Sequence, residues 1–303
     1  MRLLLFGGTG FVSGKLLSQA IKENHEVVYI TRGIKKVNSI HNAVHILADR
    51  GRDKENIKEK LHNEKWDAVI DVVCRTPDHA RQAIDLSTEC RRLIMISTDY
   101  VYDPLHRRLP QNEDEAVFVN ADNYGGNKRK AELEIIKASE TGIIDATILR
   151  PPHIYGPGSL PGTIPKHGRS TELINDINKG KTLHLLQGGL GLLQPLYVND
   201  LARIILKLLP IKEAFGEIYN IPGFKLMTHL DYYREIAKCL GKDLKVKGFY
   251  PEDDTNINHF PCGHRYYDNY KISQVLHNYR YTPFNDGVHA WVNEILKNNE
   301  NGK

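Results

Sequence analysis

Cysteine is scarce in this 303-residue sequence, and its four cysteines (Cys74, Cys90, Cys239 and Cys262) show no paired spacing. Long hydrophobic runs are missing as well, so no segment has the length and composition of a membrane span. The amino terminus enters a strand-like run at once, without the pattern of a cleavable signal. We therefore expect a cytoplasmic protein with reduced thiols and no membrane partner.

A strong excess of charge of one sign is also absent. The chain has 41 Lys and Arg against 37 Asp and Glu, and the resulting net charge of +4 is scattered. This small charge does not indicate a nucleic-acid partner. The sequence also has no basic stripe interleaved with aromatic residues, which would indicate one. With 41% hydrophobic and 26% charged residues, the composition is that of a globular protein with a sizeable core.

Short apolar runs alternate with helix-like segments through the first half of the chain, and a further strand is predicted beyond it. The runs are nearly continuous in apolar character, as expected for strands buried on both faces of a parallel sheet. This alternation predicts an α/β fold with a doubly wound parallel Rossmann sheet. The predicted strands are RLLLF (2–6), EVVYIT (26–31), VHILA (44–48), DAVIDVV (67–73), RLIMIS (92–97), IDATILR (144–150) and GEIYNI (216–221).

The composition changes after Arg150, where PPHIYGPGSLPGTIPKHG is rich in proline and glycine and predicts a loop. The stretch VNDLARIILKLL (198–209) then has the pattern of a helix that returns to the first domain. We predict a dinucleotide-binding domain of residues 1–158 and about 195–224. Residues from about 159 to 194 and 225–303 are predicted to form a smaller C-terminal substrate lobe.

The stretch GGTGFVS follows the first strand directly and precedes a helix-like segment. Glycines in such a turn allow a sharp bend and a close backbone approach to phosphate, while free helix N–H groups point at the anion. We expect Gly7, Gly10, Phe11 and Val12 to bind a dinucleotide; a tight turn without a ligand is the alternative. Ser13 stands where a third glycine is usual, and we expect a slight shift of the helix and not a loss of binding.

The end of the second strand indicates which nicotinamide cofactor binds. A carboxylate there would bind the adenosine ribose and repel a 2′-phosphate, but this sequence has Thr31 and Arg32. Arg32 can pair with a phosphate and stack on adenine, which favours NADP over NAD. A solvated basic turn is the alternative. Asp49, just after the third strand, is a candidate contact on the adenine side.

Tyr124 and Lys128 lie four positions apart at the start of a predicted helix and therefore share one helical face. A nearby ammonium favours the ionised phenol, so we expect Lys128 to lower the pKa of Tyr124. Such a tyrosine can move a proton at a substrate hydroxyl or carbonyl. Ser97 and Thr98, at the end of the fifth strand, offer a hydroxyl for the same substrate oxygen.

The stretches GGTGFVS, ISTDYVY, YGGNK and LRPPHIYGPG, in this order, resemble the extended short-chain dehydrogenase/reductase family. The resemblance covers most of the chain and includes QPLYVNDLARII and YYDNYKISQVL. It implies that Tyr124 is the catalytic base, that Lys128 is its ribose-binding partner and that Thr98 supplies the strand-end hydroxyl. It also implies homodimers, paired through the helix that Tyr124 opens.

Within that family Asp99 occupies the position of the general acid of dehydratases, although it could equally cap a turn. The next position is Glu in the dehydratases and Tyr100 here, which disfavours dehydration. The resemblance places His153 beside the nicotinamide and the substrate. Arg265 is a candidate ligand for a substrate diphosphate. His259, Cys262 and His264 do not have a usual zinc spacing, so we expect no metal.

Three functions follow from these residues. The resemblance favours an NADP- or NAD-dependent epimerase or dehydratase that acts on a nucleotide-activated sugar. The next most favoured function is an NADPH-dependent keto-sugar reductase, because STDYV resembles such reductases. A non-catalytic RNA-binding protein on the same fold, like the chloroplast stem-loop RNA-binding proteins, is the alternative of a different class. The presence of Thr98, Tyr124 and Lys128 speaks against this last alternative, because a scaffold has no need of them.

Overall fold

A computed structural model describes residues 1–35, 40–62, 64–164, 166–250 and 263–301. The strands of the described residues are β1 (Arg2–Phe6), β2 (Glu26–Thr31), β3 (Ala43–Leu47), β4 (Ala68–Asp71), β5 (Arg92–Ile96), β6 (Asp145–Arg150), β7 (Ile154–Tyr155), β8 (Thr182–Leu186), β9 (Leu192–Leu193), β10 (Leu196–Tyr197), β11 (Ile218–Asn220), β12 (Met227–Thr228) and β13 (Lys245–Phe249).

The central sheet has seven strands in the order β11-β6-β5-β4-β1-β2-β3. All neighbouring pairs are parallel. The strand order reverses between β1 and β4, and a ligand crevice opens at such a switch point beyond the carboxyl ends of the strands. The predicted class, a doubly wound parallel Rossmann sheet, is confirmed.

The helices of the described residues are α1 (Phe11–Lys22), α2 (Lys54–Leu61), α3 (Pro77–Asp85), α4 (Tyr124–Glu140), α5 (Leu173–Asn178), α6 (Val198–Leu208), α7 (His229–Cys239), α8 (Tyr270–Leu276) and α9 (Phe284–Asn301). Of these, α1, α6 and α8 cover one face of the central sheet, and α2, α3 and α4 cover the other. Over the described part of the chain, none of the helices is long and apolar enough to cross a membrane.

Alternate residues of the strands feed two separate apolar cores, because successive side chains of a strand point to opposite faces. Leu3 and Leu5 of β1 pack in the core under α1, α6 and α8. Leu4 and Phe6 pack in the core under α2, α3 and α4. The α8 helix, which the sequence placed in the substrate lobe, thus contributes to a core of the sheet.

The strand β3 differs from its prediction as a strand buried on both faces. It lies at the edge of the sheet with β2 as its one neighbour, and Val44 and Leu47 are 60% and 61% exposed. Apolar character alone does not distinguish an edge strand from an interior one, because the difference depends on which strand pairs beside it.

A third apolar core lies in the region of the predicted substrate lobe. Side chains of α5, α7 and α9 pack there against β8, with Tyr155 and Tyr197 beside them. Trp291 of α9 is fully buried, and its indole Nε1 donates to the carbonyl oxygen of Ser159 at 3.0 Å. This contact joins α9 to the loop that follows β7.

The structure shows Cys74, Cys90 and Cys239 as free thiols. Cys262 lies outside the described residues. Burial raises the pKa of both the Cys74 and the Cys90 thiol, which keeps these two side chains protonated and unreactive.

Candidate active site

The glycine turn joins the carboxyl end of β1 to the first turn of α1. Gly7 and Gly8 have φ of +110° and +147°, where side chains are strained. A Cβ on Gly7 would lie 2.8 Å from the Cβ of Ser13, and one on Gly8 would lie 2.5 Å from the ring of Tyr29. The close approach of the turn to its surroundings therefore requires glycine at both positions.

Ser13, the departure from the usual third glycine, takes part in shaping the turn. Its side chain is buried, and its Oγ accepts a hydrogen bond from the backbone N–H of Gly10 at 3.1 Å. Because Gly7 lacks a side chain, the Cβ of Ser13 has room below the turn. Ser13 thus caps the start of α1, and the turn is built around its hydroxyl.

Arg32 and Asp49 lie at the carboxyl ends of β2 and β3, on the same edge of the sheet as the glycine turn. Arg32 is exposed. The Asp49 carboxylate accepts the backbone N–H of Gly51 at 2.9 Å, and this bond, with the charges of Arg52 and Arg32, lowers the pKa of Asp49. The two predicted cofactor residues are therefore close enough to interact electrostatically.

A buried ion pair beneath this edge was not predicted. Arg50 Nη1 donates to the Asp71 carboxylate at 2.6 Å, and the guanidinium lies over the ring of Phe6 at 4.0 Å from its centroid. Asp71 also accepts the backbone N–H of Val73 at 2.9 Å. Asp71 is the last residue of β4, which lies next to the switch point, and Arg50 lies in the loop after the edge strand β3. The position of Asp71 at the switch point is the available sequence signal.

Thr98 and Tyr124 come together because a helix begins beside a strand end. Thr98 follows β5, and its Oγ1 accepts the backbone N–H of Tyr100 at 3.3 Å. The α4 helix starts at Tyr124, directly after Asn123, whose side chain caps it. A Cβ on Gly125 would lie 2.0 Å from the carbonyl oxygen of Tyr100, so this glycine permits the close approach.

Lys128 lies one turn further along α4 and is buried. Its Nζ donates to the carbonyl oxygens of Cys74 at 2.6 Å and Ile96 at 2.5 Å. These carbonyls follow β4 and end β5, so the ammonium spans the carboxyl ends of two neighbouring strands. A lysine ammonium has three N–H donors, and two of them serve these carbonyls.

The expected lowering of the Tyr124 pKa is wrong for this structure. Partial burial raises the pKa of Tyr124, although the residue is still 52% exposed, and the negative charge of Asp99 acts in the same direction. The groups that lower it are the Arg75 cation and hydrogen bonding to Thr98. Arg75 was missed, although it follows β4 at the switch point. The neighbouring Ser97 is buried, and its hydroxyl is one of the groups that lower the pKa of the Glu132 carboxyl.

Asp99 and Arg265, predicted separately as a general acid and a diphosphate ligand, contact each other. Arg265 Nε and Nη2 donate to the two carboxylate oxygens of Asp99 at 2.7 and 2.8 Å. Both side chains are buried. The structure thus brings the strand end that carries Thr98 into contact with the region of the substrate lobe.

His153 lies behind this pair, with its Nε2 at 3.2 Å from the hydroxyl of Tyr232. Burial lowers the pKa of His153 to about 3, and the charges of Arg265 and His229 act in the same direction. Burial likewise lowers the pKa of His229 to about 4, and its Nδ1 lies 2.8 Å from Thr163 Oγ1. Both imidazoles are therefore neutral at physiological pH.

These histidines predict loss of stability in acid. Between the ordinary pKa of 6.5 and about 4, the unfolded chain binds protons that folded His153 and His229 do not, so the free energy of unfolding decreases as the pH is lowered. His153→Gln should remove up to about 1.4 kcal/mol of this loss per pH unit, measured by urea unfolding. His62→Gln, on the surface, is the control. An unchanged pH slope in His153→Gln would contradict the neutral state of His153.

A pocket between α7 and β8 has a basic lining. No acidic side chain is among the described residues that line it. Lys166 and Arg265 supply its positive charges, and the remaining wall includes the apolar side chains of Ile164, Leu185 and Leu186. The histidines of its lining are His167, His184 and His229.

The expectation that no metal binds concerns His259, Cys262 and His264. The first two of these residues lie outside the described residues. Among the residues described, no group of three His, Cys, Asp or Glu side chains is arranged to hold a metal ion. The third residue of that stretch, His264, accepts the backbone N–H of Leu192 with its Nδ1 at 3.1 Å.

The sheet order, the glycine turn and the helix that carries Tyr124 and Lys128 define a Rossmann-type dinucleotide-binding fold. The model of the NAD dependent epimerase/dehydratase family matches residues 3–222, and the chain belongs to this family.

Two curated relatives come from Arabidopsis thaliana. The chloroplast stem-loop binding protein of 41 kDa b is 26% identical over 79% of this chain and 63% of its own length. A trifunctional UDP-glucose 4,6-dehydratase/UDP-4-keto-6-deoxy-D-glucose 3,5-epimerase/UDP-4-keto-L-rhamnose-reductase is 27% identical over 54% of this chain and 24% of its own length. The chain therefore spans less than two thirds of either relative.

Solved structures share the fold over nearly the whole chain. UDP-glucose 4-epimerase from Thermotoga maritima, with UDP-glucose, has a TM-score of 0.80 at 19% identity and covers 98% of this chain and 99% of its own. The dTDP-glucose 4,6-dehydratase from Bacillus anthracis, in complex with NAD, has a TM-score of 0.80 at 18% identity, with 99% and 98% covered. At these identities the likeness concerns the fold alone.

Proposed function

We propose that the chain is an NAD(P)-dependent enzyme that acts on a nucleotide-activated sugar by epimerase- or dehydratase-type chemistry. One observation carries this proposal. In this chain, which belongs to the family, Thr98, Tyr124 and Lys128 converge beside the glycine turn. The solved structures with UDP-glucose and with NAD support the same classes of substrate and cofactor.

The glycine turn fits the pyrophosphate of a dinucleotide. A Cβ on Gly10 would approach only the Ser13 hydroxyl, so the backbone there is open to a ligand. The first N–H groups of α1, which include those of Phe11 and Val12, have no partner within the helix and are suited to an anion. A bound nicotinamide would supply a hydride donor or acceptor.

Three side chains would carry the proton chemistry. The Tyr124 hydroxyl would take a proton from the substrate oxygen or return one to it, and the Thr98 hydroxyl would bind that oxygen. Lys128 donates two N–H groups to the carbonyls of Cys74 and Ile96 and would bind the ribose with its third. The Arg75 cation would favour the phenolate of Tyr124.

The substrate would extend towards the basic pocket. Lys166 and Arg265 favour the negatively charged diphosphate of a nucleotide sugar, and His153 is close enough to interact electrostatically with both Arg265 and Asp99. Two N–H groups of Arg265 donate to Asp99, and a guanidinium has five. A diphosphate contact from the same side chain is therefore compatible with the ion pair.

We further propose a preference for NADP, which rests on Arg32. Arg32→Asp should weaken NADP⁺ binding by tenfold or more, on the order of a lost charged hydrogen bond, and should not weaken NAD⁺ binding. Isothermal titration calorimetry with both dinucleotides measures this, and Arg52→Ala, also on this rim, is the control. Tighter binding of NAD⁺ than NADP⁺ by the unaltered chain would contradict the preference.

The proposed activity is tested with UDP-glucose, UDP-glucuronic acid and dTDP-glucose, each with NAD⁺ or NADP⁺, and with a nucleotide 4-keto-6-deoxy sugar plus NADPH. Products are separated by chromatography and identified by NMR. A new epimer without net oxidation supports an epimerase, whereas NADPH consumption with the keto-sugar supports the reductase alternative. Dinucleotide binding without conversion of any nucleotide sugar would contradict the proposed substrate class.

A second candidate function is stem-loop binding, favoured by the similarity to the chloroplast stem-loop binding protein over 79% of this chain. It predicts salt-dependent binding of a stem-loop RNA that survives Tyr124→Phe. Electrophoretic mobility shift with and without NADP⁺ measures this binding. Its absence at low salt would remove the candidate.

A further inference from the structure

The carboxylate of Asp99 is surrounded by donors from distant parts of the chain. Besides the two bonds from Arg265, which is 166 residues away, the Tyr267 hydroxyl donates to Asp99 Oδ2 at 2.6 Å. The Thr98 hydroxyl donates to Oδ1 at 3.4 Å. A carboxylate offers about four acceptor positions, and these four donors occupy them.

This environment keeps Asp99 ionised. Although burial raises its pKa, the charge of Arg265 and the hydrogen bonds from Arg265 and Tyr267 hold the pKa of Asp99 below its ordinary value. A general acid must carry a proton at the working pH. Asp99 is therefore poorly suited to proton donation, whereas a buried ion pair is well suited to fixing a geometry.

The segment that supplies Arg265 is held on both sides by the backbone. The N–H of Arg265 donates to the carbonyl oxygen of Leu192 at 2.8 Å, and that of Tyr267 donates to Gln194 Oε1 at 2.8 Å. On the other side, Gln111 exchanges backbone hydrogen bonds with Tyr266 and Asp268. Residues 265–268 thus form a bridge between two loops before the guanidinium reaches Asp99.

The guanidinium also contacts the aromatic wall of the site. It lies over the ring of Tyr100 at 5.2 Å from the centroid, and the rings of Tyr100 and Tyr124 meet edge to face at 6.1 Å. Arg265 therefore touches both residues that follow Thr98, and one of them packs on the proposed catalytic base.

We propose that Asp99, Arg265 and Tyr267 form a positioning clamp, through which the bridge at residues 265–268 fixes Thr98 and Tyr124 in their working geometry. Asp99 acts as a permanent carboxylate in this clamp and does not transfer a proton. The clamp rests on the proposed function for its effect on turnover, but its effect on Tyr124 can be measured without a substrate.

Asp99→Asn and Arg265→Gln should each lower kcat by about 100-fold, the scale of a displacement of about 1 Å at a reacting group. Arg265→Lys, which keeps the charge, should recover part of the lost kcat. This recovery would show that the low kcat of Arg265→Gln does not come from misfolding. In Asp99→Asn the acidic limb of the kcat pH profile should persist, because Asp99 does not titrate there. Loss of that limb would overturn the proposal in favour of a general acid.

The double variant Asp99→Asn/Arg265→Gln should be no slower than either single variant, because residues that act as one unit are not additive. Losses that multiply would overturn the clamp. Arg91→Gln is a matched control, since Arg91 makes the same two-oxygen pair with Asp145 but at the surface and at the amino ends of β5 and β6. It should leave kcat unchanged.

The measurement without substrate is the titration of Tyr124 by NMR of tyrosine labelled with ¹³C at the ring ζ carbon, with Tyr124→Phe identifying the signal. Its surroundings include Arg75, Asp99, Tyr100 and Lys128. Arg265→Gln should raise the Tyr124 pKa, because Asp99 is then uncompensated, and Asp99→Asn should lower it. A Tyr124 signal that moves in neither variant would overturn the clamp, even if no nucleotide sugar is converted.

Discussion

Tyr124→Phe should lower kcat by about 10²–10⁴-fold, the usual contribution of a positioned acid or base, and leave dinucleotide affinity nearly unchanged. The phenol hydroxyl is the group proposed to move the proton, and it lies beside Thr98 at the start of α4. The ring remains in Phe, so its edge-to-face contact with Tyr100 is retained. Steady-state turnover of whichever nucleotide sugar is converted in the substrate screen measures kcat, and calorimetry measures dinucleotide binding.

Tyr270→Phe is the matched control, because Tyr270 is an exposed tyrosine at the start of another helix. It should behave as the unaltered chain in both assays. Full activity of Tyr124→Phe would remove Tyr124 from the proposed chemistry.

Glu132→Gln should lower the free energy of unfolding by about 3–5 kcal/mol, as expected when one partner of a buried ion pair is neutralised. Glu132 of α4 is fully buried and accepts hydrogen bonds from Arg150 Nε at 3.0 Å and Nη2 at 2.8 Å. Arg129 Nη1 donates to the same carboxylate at 2.9 Å. Neutralising Glu132 leaves the buried Arg150 without its counter-charge, and urea unfolding measures the loss.

Glu134→Gln, on the same helix, provides the comparison. Glu134 pairs with Arg81 at the surface, at 2.5 Å, and such pairs contribute about 0–1 kcal/mol because solvent screens them. If both variants lose the same stability, the Glu132–Arg150 pair does not anchor α4 to β6.

The sequence predicts well those features that depend on residues close together in the chain. The seven strands of the sheet and the start of α4 follow from short apolar runs and from the glycines beside Tyr124. The family resemblance adds roles for Thr98, Tyr124 and Lys128, and the fold brings these three side chains to one edge of the sheet. Their roles remain predictions that the experiments above test.

The features that the sequence does not predict depend on partners far along the chain. Arg265 and Asp99 carry no local signal of their pairing, because only the fold brings the two segments together. The same holds for Arg50 and Asp71. The raised pKa of Tyr124 is also not predictable from the sequence, since it depends on partial burial and on the charge of Asp99.

That this chain is a nicotinamide-dinucleotide enzyme is tested most directly by dinucleotide binding, followed by reduction or oxidation of the bound nicotinamide. Calorimetry should give one NADP⁺ or NAD⁺ per chain. Stopped-flow absorbance at 340 nm should show transient reduction of the bound nicotinamide when a nucleotide sugar is added, or net oxidation of NADPH when a keto-sugar is added. Tyr124→Phe should bind the dinucleotide without either change. Failure of the unaltered chain to bind either dinucleotide would contradict the account.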